Sequence, residues 1–95
     1  MSAWVYMMAD RYRGAIYTGM TANLAARISA HKEGRGSLFC KRYKLTRLVY
    51  VEQHERVEEA IAREKAIKKW MRAWKIKRIE CDNPEWADLF ERINW

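Results

Sequence analysis

The segment 16–31 constrains the fold most, because its pattern is that of a β-strand that passes directly into a helix. Residues 16–18 favour a strand, and Gly19 marks a break before the next element. Thr21 is a suitable N-cap, since its hydroxyl can accept a hydrogen bond from an unpaired amide of the first helical turn. We therefore predict a strand followed by a helix over about residues 22–32.

One face of that predicted helix mixes apolar and basic side chains. Leu24 and Ile28 lie at helical spacing and favour burial, whereas Arg27 and His31 share their stripe. An arginine and a histidine one turn apart could contact a phosphate. Alternatively, Arg27 extends its charge to solvent while His31 is a hydrogen-bonded histidine at the edge of the core. The residues alone leave both interpretations open.

Composition favours a polyanionic partner. The chain has 95 residues, which suits a single domain spanning 1–95, and its net charge is +7. This charge predicts nucleic acid first and an anionic membrane second. No apolar run reaches the roughly 20 residues that span a bilayer, and no signal peptide is apparent, so we expect a cytoplasmic protein without a membrane partner. Cys40 and Cys81 have no CxxC spacing, which indicates free thiols rather than zinc ligands.

Two further segments complete a predicted sheet. Residues 3–8 favour a strand that returns through residues 15–19 as an antiparallel hairpin. Residues 46–52 form a third strand, in which Leu48 and Tyr50 would share one face. Because both faces of that strand carry apolar residues, we expect it to be the central one. Residues 39–44 are basic and give no assignable pattern.

A helix is predicted over about residues 56–69, and one carboxylate interrupts its apolar stripe. An ionised Glu64 in that stripe would cost several kcal/mol if unpaired, so it must meet a cation, a metal or a water-filled cleft. The opposite face, through Arg78, is strongly basic. Trp70 and Trp74 are interleaved with it and could stack on bases or belong to the core. The predicted stripe is Val57, Ala60, Ile61, Glu64, Ile67 and Met71.

The C-terminal segment contains a helix-start pattern, with Asn83 as N-cap and Pro84 at the first helical position. After it, apolar residues recur at helical spacing and should close the core. One α+β domain therefore fits the whole chain. The apolar residues of the predicted tail helix are Trp86, Leu89, Phe90 and Ile93.

Several polar residues are predicted to lie on buried surfaces, and together they resemble a known set of motifs. In order and spacing they resemble the motifs of the GIY-YIG nucleases, short stand-alone bacterial type, over essentially the whole chain. The chain departs from the family pattern in three ways. Trp4 replaces a glycine, and Met20 stands where some members carry a lysine. An asparagine that follows the glutamate in several members has no equivalent, because Asn83 lies too far along the chain. The matching residues are Trp4-Val5-Tyr6, Tyr17-Thr18-Gly19, Asn23-Leu24, Arg27, His31 and Glu64.

The resemblance implies a fold and a chemistry. The fold would be α+β, a small three-stranded antiparallel sheet flanked by helices, and the activity would be hydrolysis of DNA phosphodiester bonds. Glu64 would hold one divalent metal, Mg²⁺ or Mn²⁺, with no other cofactor. Arg27 would hold the scissile phosphate, and His31 would hydrogen-bond to the phosphate or the attacking water. Tyr6 or Tyr17 would be the general base.

The chain has no room for a separate DNA-reading domain, so we expect it to recognise the structure of single-stranded or branched DNA and not its sequence. We also expect a monomer. Two alternatives remain: a non-catalytic nucleic-acid-binding module, and a protein-interaction adaptor. Glu64 argues against the first, since a pure binder of polyanions gains nothing from a carboxylate aimed at the phosphate. The residues predicted to contact DNA are Arg35, Lys41, Arg42, Lys68, Lys69 and Arg72.

Overall fold

In the computed structural model, which describes residues 2–93, three antiparallel strands form one sheet in the order β2-β1-β3. Helices pack on both of its faces, which confirms the predicted α+β class. The elements are β1 (Ala3–Ala9), β2 (Ile16–Thr21), α1 (Leu24–Lys32), α2 (Leu38–Tyr43), β3 (Arg47–His54), α3 (Val57–Lys68) and α4 (Arg72–Asp82), followed by a 3-10 turn (Phe90–Arg92).

Alternate side chains of β1 enter two separate cores, because successive residues of a strand point to opposite faces of the sheet. Val5 and Met7 belong to one core and Tyr6 and Met8 to the other. The first core is completed by buried residues of α3 and α4, and the second by residues of α1 and α2. These are Ala60, Ile67 and Ile79 in the first core, and Leu24, Ile28 and Cys40 in the second.

The central strand is β1, so the prediction that the third strand is central is wrong. Near its start, the free edge of β3 is covered by the tail of the chain, which forms hydrogen bonds with backbone groups of Leu48 and Val49. The Leu89 amide donates to the Leu48 carbonyl (2.7 Å), and the Leu48 amide donates to Asp88 Oδ1 (3.2 Å). Asn83 Nδ2 donates to the Val49 carbonyl (3.1 Å). An edge strand covered in this way can carry the apolar pattern of a central one.

A β-bulge in β3 changes the predicted assignment of its side chains to faces. Met7 pairs with Tyr50 and Met8 with Leu48, which leaves Val49 as an extra residue between them. Val49 and Tyr50 therefore enter the same core, and Leu48 enters the other. The predicted grouping of Leu48 with Tyr50 is wrong for this reason.

Helix α1 begins at Leu24, two residues later than predicted, because β2 continues through Thr21. Thr21 is not the cap. Asn23 is, and its Oδ1 accepts a hydrogen bond from the Ala26 amide at 3.2 Å. The Thr21 hydroxyl instead accepts one from the Asn23 amide at 3.0 Å, which fixes the turn between strand and helix.

The predicted stripe of α3 is partly wrong. Ala60 and Ile67 are buried, whereas Ile61 is 38% exposed and Met71 is 60% exposed. The cause is that α3 ends at Lys68 and the chain turns before α4, so Met71 is the N-cap residue of a separate helix. The prediction did not separate α4 from the basic run.

The predicted tail helix at Asn83 is also wrong. Asn83 is the C-cap of α4, and Trp86 has a φ of 57°, a left-handed conformation that a continuing helix does not contain. The tail still closes the core as predicted. Trp86 is fully buried in the first core, and Leu89 and Phe90 pack against the second.

A hydrogen-bonded cluster ties the β1–β2 turn to α4. Arg13 makes a bidentate pair with Glu80, with both N–O distances at 2.8 Å, and Trp86 Nε1 also donates to Glu80 (2.7 Å). Arg72 donates to the carbonyls of Arg13 and Gly14, at 2.6 and 2.7 Å. These bonds hold the end of β1 and the start of β2 against α4.

Both cysteines are free thiols, as predicted; Cys40 is buried and Cys81 is exposed. Within residues 2–93, no helix combines the length and apolar character needed to cross a bilayer.

Candidate active site

Two tyrosines and a histidine meet on the α1 face of the sheet. Tyr6 lies on β1 and Tyr17 on β2, and their ring centroids are 6.3 Å apart. The His31 ring, from α1, lies 5.6 Å from the Tyr6 ring and 5.5 Å from the Tyr17 ring. Three of the five predicted catalytic residues therefore form one cluster of rings.

The Tyr6 hydroxyl and His31 Nε2 are 2.8 Å apart and share a hydrogen bond. Both side chains are buried, each 1% exposed, so His31 is not the edge histidine of the alternative interpretation. Burial, with a smaller contribution from Arg27, lowers the pKa of His31. Burial and the nearby Tyr17 raise the pKa of Tyr6. At neutral pH the pair is therefore an uncharged imidazole beside an uncharged phenol.

Two glycines make room for the Tyr6–His31 pair, because a side chain at either position would collide with it. A Cβ at Gly19 would lie 2.7 Å from the Tyr6 hydroxyl oxygen and 2.9 Å from Tyr17 Cε2. A Cβ at Gly36 would lie 2.1 Å from His31 Nδ1, so the loop after α1 closes directly over the imidazole. Gly36 was not among the predicted site residues; its only signal in the sequence is a glycine in the loop after the histidine-bearing helix.

Arg27 is exposed, and its NH1 donates to the Gly36 carbonyl at 3.4 Å. Its charge nevertheless reaches the buried pair, because it acts to lower the pKa of both Tyr6 and His31. The guanidinium is thus at the solvent side of the cluster, where a substrate phosphate could approach it. This arrangement is compatible with the predicted phosphate contact.

Glu64 lies on α3, with its side chain 19% exposed, and it is paired with a cation. Lys68 Nζ, one turn later, is 3.6 Å from Glu64 Oε2 and 5.9 Å from the centroid of the Tyr17 ring. The negative charge of Glu64 also contributes to raising the pKa of Tyr6. The carboxylate therefore lies within electrostatic range of the buried tyrosine, and the Lys68 ammonium is close to both the carboxylate and Tyr17.

The donor set at Glu64 suits a magnesium ion that shares its coordination with substrate. Among residues 2–93, no group of three or more histidine, cysteine and acidic side chains is placed to hold a metal. Magnesium is commonly bound by one or two carboxylates, with waters and substrate phosphates completing the coordination. A single, partly exposed carboxylate such as Glu64 fits that pattern.

An open cleft of about 350 Å³ lies beside Tyr17. Helix α2, which the sequence pattern did not reveal, provides one wall. Phe39 of this helix stacks on Tyr17, with centroids 6.2 Å apart and planes inclined by 29°. The available signal was Ser37, whose hydroxyl caps α2 by accepting from the Cys40 amide. We call this space the Tyr17 cleft; its lining residues are Ile16, Tyr17, Thr18, Phe39, Lys68 and Lys75.

The six residues predicted to contact DNA are all exposed, but they differ in their surroundings. Lys68 lines the Tyr17 cleft. Arg35 pairs with Glu33 at 2.7 Å, and the guanidinium of Arg72 is engaged by the two backbone carbonyls described above. DNA contact by this set stays a prediction. The remaining members are Lys41 and Arg42 on α2 and Lys69 at the end of α3.

The family model of the GIY-YIG catalytic domain matches residues 2–77. The chain belongs to the GIY-YIG family. The resemblance inferred from the motifs is thereby confirmed, and membership implies nuclease activity. The matched region contains all five residues of the predicted catalytic set.

Two relatives of this GIY-YIG protein carry names that state no activity. UPF0213 protein SH2523 of Staphylococcus haemolyticus (strain JCSC1435) is 41% identical over 66 residues, covering 70% of this chain and 80% of the relative. A UPF0213 protein of Staphylococcus aureus (strain Mu3 / ATCC 700698) is 36% identical over 67 residues, covering 70% and 82%. No solved structure matches the chain significantly.

Proposed function

We propose that this GIY-YIG protein is a metal-dependent endonuclease that hydrolyses phosphodiester bonds in single-stranded or branched DNA. The proposal is carried by the buried Tyr6–His31 hydrogen bond, which lies within electrostatic range of both Arg27 and Glu64. A binding module has no need for a neutral imidazole buried against a phenol, whereas hydrolysis needs a group that removes a proton from water.

The Tyr6–His31 pair is assigned the role of general base. A free phenolate at Tyr6 is disfavoured, because burial raises its pKa. His31 is neutral at pH 7, since its pKa is lowered, and its Nε2 can accept the phenolic proton. As water gives its proton to the Tyr6 oxygen, the Tyr6 proton passes to Nε2 of His31. The charge that develops is then carried by the imidazole instead of by the phenol.

Arg27 is assigned to the phosphate. Its guanidinium is exposed at the solvent side of the cluster, and its planar fork matches two oxygens of a phosphate group. Its attraction grows as negative charge builds on those oxygens during the reaction, so the residue contributes more to turnover than to ground-state affinity. Tyr17, which borders the open cleft, is assigned to donate its hydroxyl to the same phosphate.

Glu64 is assigned to Mg²⁺ or Mn²⁺, which when bound would polarise the phosphate and lower the pKa of a bound water. Lys68 has two roles beside it. Its ammonium offsets the charge of the carboxylate, and it supplies a cation over Tyr17. Met20 stands where some family members carry a lysine near the tyrosine, and Lys68 takes the place of that missing charge from a different element.

The preference for unpaired DNA follows from the walls of the Tyr17 cleft. An exposed aromatic ring, Phe39, lies beside two lysines, Lys68 and Lys75. Aromatic faces and basic side chains together suit single strands, because the base faces of a duplex are already stacked. The bases of an intact duplex could not stack on Phe39 unless the duplex opened.

The test is cleavage of end-labelled single-stranded, duplex and branched DNA by the purified protein, with magnesium or with a chelator. We expect single-stranded and branched DNA to be cut faster than linear duplex, and only with metal. Equal or faster cutting of intact duplex at a defined sequence would contradict the preference. Binding of every form without cleavage in magnesium or manganese would favour the non-catalytic module.

A further inference from the structure

A second aromatic and basic cleft lies outside the residues assigned to catalysis. It has a volume of about 290 Å³ and is bordered by α4 and by Trp70, which lies in the turn between α3 and α4. Of its five lining residues, two are basic and none is acidic. We call it the tryptophan cleft; its lining residues are Trp70, Trp74, Lys77, Arg78 and Cys81.

The two tryptophans of this cleft differ in how they are held. Trp70 packs against the first core, and the Arg63 guanidinium lies 5.1 Å from the centroid of its ring. Trp74 is 55% exposed and meets Trp70 edge to face, with centroids 6.5 Å apart. A fixed indole therefore forms one wall, and an exposed indole forms the other. Large exposed aromatic surfaces of this kind are typical of binding sites.

The guanidinium of Arg78, at the rim of the cleft, is held in position by Tyr50. Arg78 Nε donates to the Tyr50 hydroxyl at 3.2 Å, and its guanidinium lies 5.3 Å from the centroid of that ring. Asp82, the acidic partner of Arg78, is 3.8 Å away and lies outside the lining. Lys77, the neighbouring cation, is exposed. An apolar slot with cations at its rim fits a ligand that has a flat aromatic face and an adjacent negative charge.

We propose that the tryptophan cleft binds an unpaired nucleobase of the DNA strand, which stacks on Trp74 while Lys77 and Arg78 contact its neighbouring phosphates. This proposal rests on the proposed function, because it takes single-stranded DNA as the substrate. A paired base cannot enter such a slot, since both of its faces are covered in the duplex. The cleft thereby gives the protein a means of selecting unpaired DNA away from the catalytic cluster.

The experiment uses the Glu64→Gln protein, so that the DNA stays intact during titration. Oligothymidylate is compared with an abasic oligonucleotide of equal length and charge, and binding is followed by tryptophan fluorescence. A second readout is alkylation of Cys81, which is exposed and lines the cleft, while the buried Cys40 serves as an internal reference. We expect oligothymidylate to quench the fluorescence and slow alkylation, and the abasic strand to do neither.

Trp74→Ala is the decisive variant, and Tyr12→Ala is its control, because Tyr12 is an aromatic residue of similar exposure outside the cleft. We expect Trp74→Ala to weaken binding of oligothymidylate about tenfold, as loss of one base–aromatic stack does, and to leave abasic binding unchanged. Tyr12→Ala should bind both strands as the parent does.

The outcomes separate this proposal from the proposed function. Three results would overturn the proposed base binding by the tryptophan cleft, even if the native protein cleaves DNA. They are equal quenching by the abasic strand, alkylation of Cys81 that DNA does not slow, and unchanged affinity in Trp74→Ala. Base-dependent binding that requires Trp74, in a protein that cleaves no DNA form, would leave the cleft assignment standing and overturn the proposed function.

Discussion

The Tyr6 hydroxyl lies 2.8 Å from His31 Nε2, and this hydrogen bond joins the central strand to α1 at the middle of the site. A buried phenol and a buried imidazole would each cost free energy without a partner, so each stabilises the other in the fold. In the proposed mechanism the same bond is also the path along which the phenolic proton leaves. The proposal therefore gives one pair of residues both a structural and a catalytic role.

The acidic limb of the pH–rate profile should lie below pH 6.5. The proposed relay needs neutral His31, and burial lowers the pKa of this residue from its usual 6.5. Single-turnover rates at saturating metal should therefore fall only when the pH drops below that value. His31→Gln should remove the limb together with most of the rate. A limb above pH 6.5, or a near-native rate in Tyr6→Phe, would contradict the base assignment.

Arg27→Ala should lower turnover by roughly 10²–10³-fold with a much smaller loss of affinity, since its charge matters most when the phosphate oxygens gain charge. Arg35→Ala is a matched control, because Arg35 is an exposed arginine of the following loop that pairs with Glu33. Single-turnover rates and equilibrium binding separate the two effects. If Arg27→Ala weakened DNA binding but left turnover unchanged, Arg27 would only bind the DNA backbone.

Lys68 and Lys69 are adjacent, yet they should differ in effect. Each, when changed to Met, should weaken DNA binding and reduce the salt dependence of the logarithm of affinity by about 0.7 for a single strand. Only Lys68→Met should also slow turnover of bound DNA, because Lys68 alone of the two lies beside Glu64 and over Tyr17. Equal turnover in the two variants would show that Lys68 contributes to DNA binding and not to turnover.

Acid stability should depend on Glu80. Bonds from Arg13 and Trp86 lower the pKa of this carboxyl from 4.5 to about 2. A carboxyl whose pKa is lowered in the folded state stabilises the fold above its unfolded pKa, and this contribution is lost as the pH falls from 4.5 through about 2. Urea unfolding at pH 7 and pH 3 should therefore show a smaller acid loss in Glu80→Gln than in the native protein. An identical loss in both would contradict the assignment.

The sequence predicted those parts of the molecule that depend on local pattern. The three strands, α1 and α3 are periodic segments, and the predicted catalytic set follows the family motif, whose order identifies its members. The bulge at Val49 could not be predicted, because it depends on pairing with β1. Asn83 has the same signature as a helix start, yet tertiary hydrogen bonds to Val49 and Ala87 make it the end of one. Helix α2 is six residues long and too short to show a period.

The central claim, that Glu64 supports metal-dependent cleavage of DNA, is tested most directly by Glu64→Gln. This change keeps the shape of the side chain and removes its charge, so the variant should fold with the native circular dichroism spectrum and still bind single-stranded DNA. We predict magnesium-dependent cleavage of labelled single-stranded DNA by the native protein, none in chelator, and none by Glu64→Gln. Undiminished cleavage by the folded Glu64→Gln protein, or cleavage by the native protein in chelator, would contradict the account.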